Sequence, residues 1–165
     1  MLRPILILAI GFSVATAMLS AQPDVRVEPA HLQGPRILAD QTATAVVKNY
    51  IESWDSLRAA LEQNRPELLD RDFVGGAKDK LTDTIQQQAR LGMKASYKDR
   101  SHDIQIVFYS PEGLSVELVD NVEYDLQVFD KDKGIATQPV RARYIVVLTP
   151  TEVRWRVRVL QATNE

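Results

Sequence analysis

Asp120 and His102 are the residues best suited to proton chemistry in this chain. A carboxylate beside an imidazole can act as a general acid and base. Asp120 lies in the run Leu118-Val119-Asp120-Asn121-Val122 and shares the alternating parity of Leu118 and Val122. That places a charged group on an otherwise apolar face, which is costly unless the charge is paired. Matching apolar parities sets Phe108 opposite Val116, Ile106 opposite Leu118, Ile104 opposite Asp120 and His102 opposite Val122. His102 is then the diagonal neighbour of Asp120, within side-chain reach. The pair is the catalytic candidate, and the pocket around it would be lined by Tyr50, Trp54, Tyr124, Tyr144 and Trp155. The competing reading puts His102 at a solvated rim, Asp120 on a bulge that turns it outward, and the aromatics in plain core packing.

A second constellation is cationic. Arg141 and Arg143 alternate on one segment, and Arg154, Arg156 and Arg158 on the next. Their parity opposes that of Trp155 and Val157, which puts all five on one outer face. The same parity match sets Asp125 opposite Arg141, Glu123 opposite Arg143, and Arg143 opposite Arg158. Exposed ion pairs on such a face contribute at most about 1 kcal/mol each. Arginines mixed with Val119, Ile145 and Val147 suit docking of a protein partner, or self-association.

Other chemistries are excluded by residue type. The chain has no cysteine and only two histidines, so disulfides, thiolate zinc sites and histidine-rich metal centres are out, and no metal or cofactor is expected. Gly75-Gly76 lacks the Lys-Ser/Thr of a phosphate loop. The formal charge of -2 argues against nucleic acid as a partner.

The elements that must position these residues follow from periodicity. Val47, Tyr50, Ile51, Trp54, Leu57 and Leu61 form one stripe at helical spacing within Asp40–Asn64, with Asp40 or Thr42 as cap. Pro66–Val74 reads as a short helix and Ala77–Leu91 as a third, with Gly92 as a left-handed cap. Beyond Gly92 the period changes to two. Strands around Ile104–Phe108, Leu114–Val128, Val140–Leu148 and Val153–Val159 are separated by turns at Pro111–Gly113, Lys131–Gly134 and Thr149–Glu152. The expected class is α+β, with N-terminal helices packed on the concave face of a curved antiparallel four-stranded sheet.

The N-terminus has the order of a secretory signal peptide over residues 1–21. Arg3 precedes the uncharged run Ile5–Val14, and small residues allow cleavage after Ala17 or Ala21. The run to Leu19 is short for a membrane span, which takes about 20 residues. Membrane attachment is expected only if this segment stays uncleaved. The mature protein is expected in a periplasmic or extracellular space. Residues 22–36, with Pro23, Pro29, Gly34 and Pro35, read as a flexible leader in which His31 is solvated, and residues 37–165 as the domain.

This order of elements resembles the nuclear transport factor 2-like superfamily. A long first helix carries Tyr50 and Trp54, and long curved strands follow. The pattern is similar to the C-terminal domain of the mitochondrial inner-membrane translocase peripheral subunit and to periplasmic domains of type IV secretion systems. The resemblance spans Ile37 to Ala162. It implies a cone that is either a catalytic pocket with an inward carboxylate or histidine as base, or a non-catalytic binding module. The reading adopted is an exported non-catalytic module that docks a protein partner on the outer sheet or holds a small apolar ligand in the cone. The alternative is an isomerase- or dehydratase-type enzyme using Asp120 and His102. An Asp120→Asn substitution separates the two, because only the enzyme needs the charge.

Overall fold

The computed structural model describes residues 22–163 except 31, 33 and 35, so His31 and the signal segment lie outside the described residues. Two α-helices and one 3-10 turn pack on a five-stranded sheet.

Helix α1 spans Asp40–Gln63. It buries Val46, Tyr50, Ser53, Trp54, Leu57 and Ala60, while Val47, Ile51 and Leu61 are only partly covered. The buried seam is therefore rotated slightly from the apolar stripe. Ala39 is the N-cap and has no side-chain acceptor for the first N–H groups; Asp40 instead places its charge at the positive end of the helix dipole. Asn64 closes the helix in the left-handed region at φ 52. The helix expected over Pro66–Val74 is only a 3-10 turn, Pro66–Leu69. Residues 72–74 instead pair with the last strand: Val74 N–H donates to Val157 O (2.9 Å) and Val157 N–H to Asp72 O (2.8 Å). Gly75, at φ 53, opens helix α2 (Gly75–Arg90), which buries Ala77 and Ile85.

The sheet order is β1-β2-β3-β4-β5. The four antiparallel strands are β2 (Met93–Tyr109), β3 (Val116–Asp130), β4 (Lys133–Pro150) and β5 (Trp155–Thr163). The fifth strand, β1 (Asp24–Val27), lies in the stretch expected to be flexible. It runs parallel to Ser101–Ile104 of β2, and Val25 and Val27 supply the alternation. The sheet is therefore mixed, with five strands rather than four.

Two bulges reset the pairing of β2, one between Asp99 and Ser101 and one between Ile106 and Phe108. Ile106 faces Leu118, Ile104 faces Asp120 and His102 faces Val122 as the parity requires. Val107 is the extra residue of the second bulge, so Val116 meets Tyr109 rather than Phe108. The β3–β4 turn is tighter than expected. Asp130 pairs with Lys133, and Lys131 turns at φ 55. That moves the register by two residues, so Glu123 faces Arg141, Asn121 faces Arg143 and Asp125 faces Pro139. Arg143 meets Thr163 rather than Arg158, because the β4–β5 turn closes later, at Pro150 and Trp155, and Arg158 is the extra residue of a bulge in β5.

The core lies between α1 and the inner sheet face, where Ile104, Leu118, Val146 and Leu148 are fully buried. Residues 130–139, at the tip of the β3–β4 hairpin, are exposed. Among the described residues no helix is long and apolar enough to cross a membrane.

Candidate functional site

Asp120 sits on the inner face of β3 between Ile104 and Tyr144, its neighbours on β2 and β4. It is fully buried and points inward; no bulge turns it out. Three donors converge on its two oxygens. Tyr50 Oη donates to Oδ2 at 2.8 Å, His102 Nδ1 lies 2.7 Å from the same atom, and Asp103 N–H donates to Oδ1 at 3.0 Å. The Nδ1 contact orients the imidazole, as in catalytic carboxylate–histidine pairs. His102 is itself 1% exposed, so it does not lie at a rim. Its Nε2 is buried and has no hydrogen-bond partner.

An aromatic cluster seals this network. Trp54 is its hub, with ring centroids 5.0 Å from His102, 5.5 Å from Tyr97, 5.6 Å from Tyr144, 6.0 Å from Tyr124 and 6.4 Å from Tyr50. Burial, reinforced by the Asp120 charge, pushes the Tyr50 phenol well above its ordinary pKa, so it stays a donor. Tyr50 and Trp54 are 0% and 4% exposed, which leaves no room for a substrate beside the dyad as the side chains stand. Trp155 is partly buried elsewhere, its backbone N–H bonded to Asn49 Oδ1 (2.9 Å).

Sequence reasoning missed the neighbouring group. Asp99, on the same inner face as His102, is 8% exposed and accepts from Arg58 Nη2 at 2.8 Å. Burial raises the pKa of Asp99, and the charges of His102 and Arg58 oppose that rise. Tyr97 stacks beside it, under the Arg58 guanidinium at 5.3 Å. Two signals hid these residues. The Arg100 bulge switches parity, so Tyr97 and Asp99 look outward by simple alternation. Arg58 falls off the apolar stripe of α1.

The five arginines are not brought together. Arg154 is mostly buried and ties β5 to the helical layer, bonding Asp72 and, at 3.0 Å, Glu52. Arg156 Nε donates to Arg71 O at 3.1 Å, and Arg158 lies against Gly75. The β5 turn and bulge carry all three toward the helices. Arg141 and Arg143 remain on the outer face. There they line a groove of about 820 Å³ with Arg26, Asp103, Asn121 and Glu123. Arg141 Nε pairs with Glu123 at 3.0 Å, whereas Arg143 has no ion-pair partner among the described residues. Asp103 Oδ1 is buried in this region without a hydrogen bond. No group of three or more histidine or acidic residues converges to hold a metal ion among the described residues.

No family model and no curated protein matches the chain. Solved structures do. The intermembrane-space region of the chloroplast protein ARC6 superposes with a TM-score of 0.64 at 16% identity, over 79% of this chain and 100% of that one. A scytalone dehydratase-like protein from Novosphingobium aromaticivorans gives 0.51 at 13% identity, over 76% of this chain and 89% of that one. The fold is consistent with the nuclear transport factor 2-like architecture. At such identities the likeness speaks to fold alone, and one fold hosts many functions.

Proposed function

We propose that the chain is an exported, non-catalytic interaction module that docks a protein partner on the outer sheet face. One observation carries this reading: the chemically capable pair is sealed in the core while the outer face keeps a large polar groove. Asp120 and His102 are at most 1% exposed, whereas Arg26, Arg141 and Arg143 line a groove of about 820 Å³ on the outer face, which His102 borders with almost no exposed surface. Arg26 is paired with Asp24 and Arg141 with Glu123, which leaves the Arg143 guanidinium to favour a partner segment carrying a carboxylate. The Asp120 network then serves to fix the sheet under α1, through which every strand of the groove is aligned. A second copy of the chain is the other occupant that fits such a face.

The test uses immobilised wild-type protein, the double variant Arg141→Glu/Arg143→Glu, and Asp120→Asn, each exposed to the extracytoplasmic extract of the source cells. A partner should be retained by wild type and by folded Asp120→Asn, and lost by the arginine variant. Equal retention by all three overturns the reading. Sedimentation of the same variants reads self-association.

One observation favours a catalytic alternative: the 2.7 Å contact of His102 with Asp120 beneath an aromatic lid, in a fold shared with a dehydratase-like protein. It requires Trp54 or Tyr144 to swing aside. Turnover of a small hydroxylated or carbonyl substrate, abolished by Asp120→Asn, would replace docking with catalysis.

A further inference from the structure

A second concavity, of about 610 Å³, opens between α1, the first half of β2 and residues 22–25. Pro23, Val25 and Ile51 supply apolar walls; the partly exposed Arg58, the buried Asp99 and the exposed Asp55, whose Oδ1 lies 3.3 Å from Arg58 Nη2, are among its charged groups. The Arg58–Asp99 ion pair is incomplete. Elsewhere in this protein, Arg100 and Asp125 close both legs of the guanidinium–carboxylate fork, Nε to Oδ2 at 2.9 Å and Nη2 to Oδ1 at 2.6 Å. Arg58 and Asp99 close one leg only, Nη2 to Oδ2 at 2.8 Å. Arg58 Nε and Asp99 Oδ1 are both buried and both without a partner. A buried donor or acceptor left unpaired carries a desolvation penalty of about 1–3 kcal/mol. The open leg thus offers one donor and one acceptor to a ligand once the partly exposed Arg58 side chain turns outward.

The backbone beside it also lacks a strand partner among the described residues. β1 covers the outer edge of β2 only from Ser101 to Ile104. Upstream, the edge over Ser96–Arg100 has no strand partner among the described residues. In an extended chain the N–H and C=O of a given residue point to the same side, which is the pattern that a sheet edge and an open fork both accept.

We propose that this cleft binds an extended peptide, one residue of which gives its N–H to Asp99 Oδ1 and takes the Arg58 Nε–H on its C=O while its side chain packs on Val25 and Ile51. The site is separate from the outer groove and does not depend on it.

The probe is N-acetylvaline methylamide, which presents that donor and acceptor together. Its control is the analogue with an ester oxygen in place of the valine N–H. Nuclear magnetic resonance on the full chain follows the Arg58 Nε–H and the methyls of Val25 and Ile51. Saturable shifts at these groups are expected with the amide. The ester analogue should bind about 10-fold more weakly, since it leaves Asp99 Oδ1 unpaired. Arg58→Lys and Asp99→Asn should weaken the amide similarly, while Arg141→Glu/Arg143→Glu should leave it unchanged. The Trp54 indole signal reports folding of each variant. If Asp99→Asn does not fold, the analogue pair and Arg58→Lys decide. No saturable shift up to the probe's solubility, or equal binding of amide and ester, overturns the proposal.

Discussion

Tyr50→Phe tests whether the Asp120 network holds the fold together. The phenol donates to Asp120 Oδ2 at 2.8 Å, and Tyr50 is 0% exposed, so no bulk water replaces the lost group. A hydrogen bond to a charged partner contributes about 1.5–3 kcal/mol. Phenylalanine leaves no orphan donor behind, and Asp120 keeps His102 and the Asp103 N–H. Those two facts point to the lower half of that range, about 2 kcal/mol, or roughly a 30-fold rise in the unfolding constant. Tyr124→Phe is the matched control. Its hydroxyl lies 3.4 Å from that of Tyr144, beyond the distance of a good O–H···O bond, and the residue is only half-buried. That substitution should cost less than about 0.5 kcal/mol, as is usual for a group without a strong partner. Urea unfolding at neutral pH, followed by tryptophan fluorescence, measures both, and an unchanged denaturant slope shows that stability alone has moved. Equal losses for the two variants, or a negligible loss for Tyr50→Phe, would refute the assignment of stability to the buried carboxylate.

Asp99 gives a pH test of known sign. Its pKa is raised in the folded state, chiefly by burial, so its contribution is fully present below the ordinary aspartate range and is lost as pH rises through the folded value. The stability of wild type relative to Asp99→Asn should therefore fall as pH is raised out of the acid range; a relative gain would contradict it. Tyr50, Tyr97 and Tyr144 are all held above the ordinary tyrosine pKa, each mainly by burial. Three of the five phenols should thus stay silent in an ultraviolet titration of the folded protein and appear together when alkali unfolds it.

The long stripe on α1 and the change of period after Gly92 were both readable, because each is a burial pattern repeated over many residues. So was the meeting of Asp120 and His102: the apolar parity around them tolerates no one-residue slip without exposing the core. Features that depend on a single inserted residue were not readable. The Arg100 bulge concealed Tyr97 and Asp99, and the β5 bulge carried Arg158 off the face shared by Arg141 and Arg143. Turn length mattered in the same way, moving Glu123 opposite Arg141 without altering its face. β1 escaped because four residues of alternation among prolines look like a leader until a long-range partner supplies their hydrogen bonds.

Arg100 works as a phase marker in β2. Upstream of it odd-numbered residues look into the protein, and downstream, as far as Ile106, even-numbered ones do. Deleting that one residue would bring both halves onto a common rhythm. Tyr97, Asp99, His102 and Ile104 would then all share one parity and still face inward, and the local bend of the bulge would be lost. What the one added amino acid supplies is a bend and extra twist between the half of β2 that carries the Asp99 carboxylate and the half that carries the His102 imidazole.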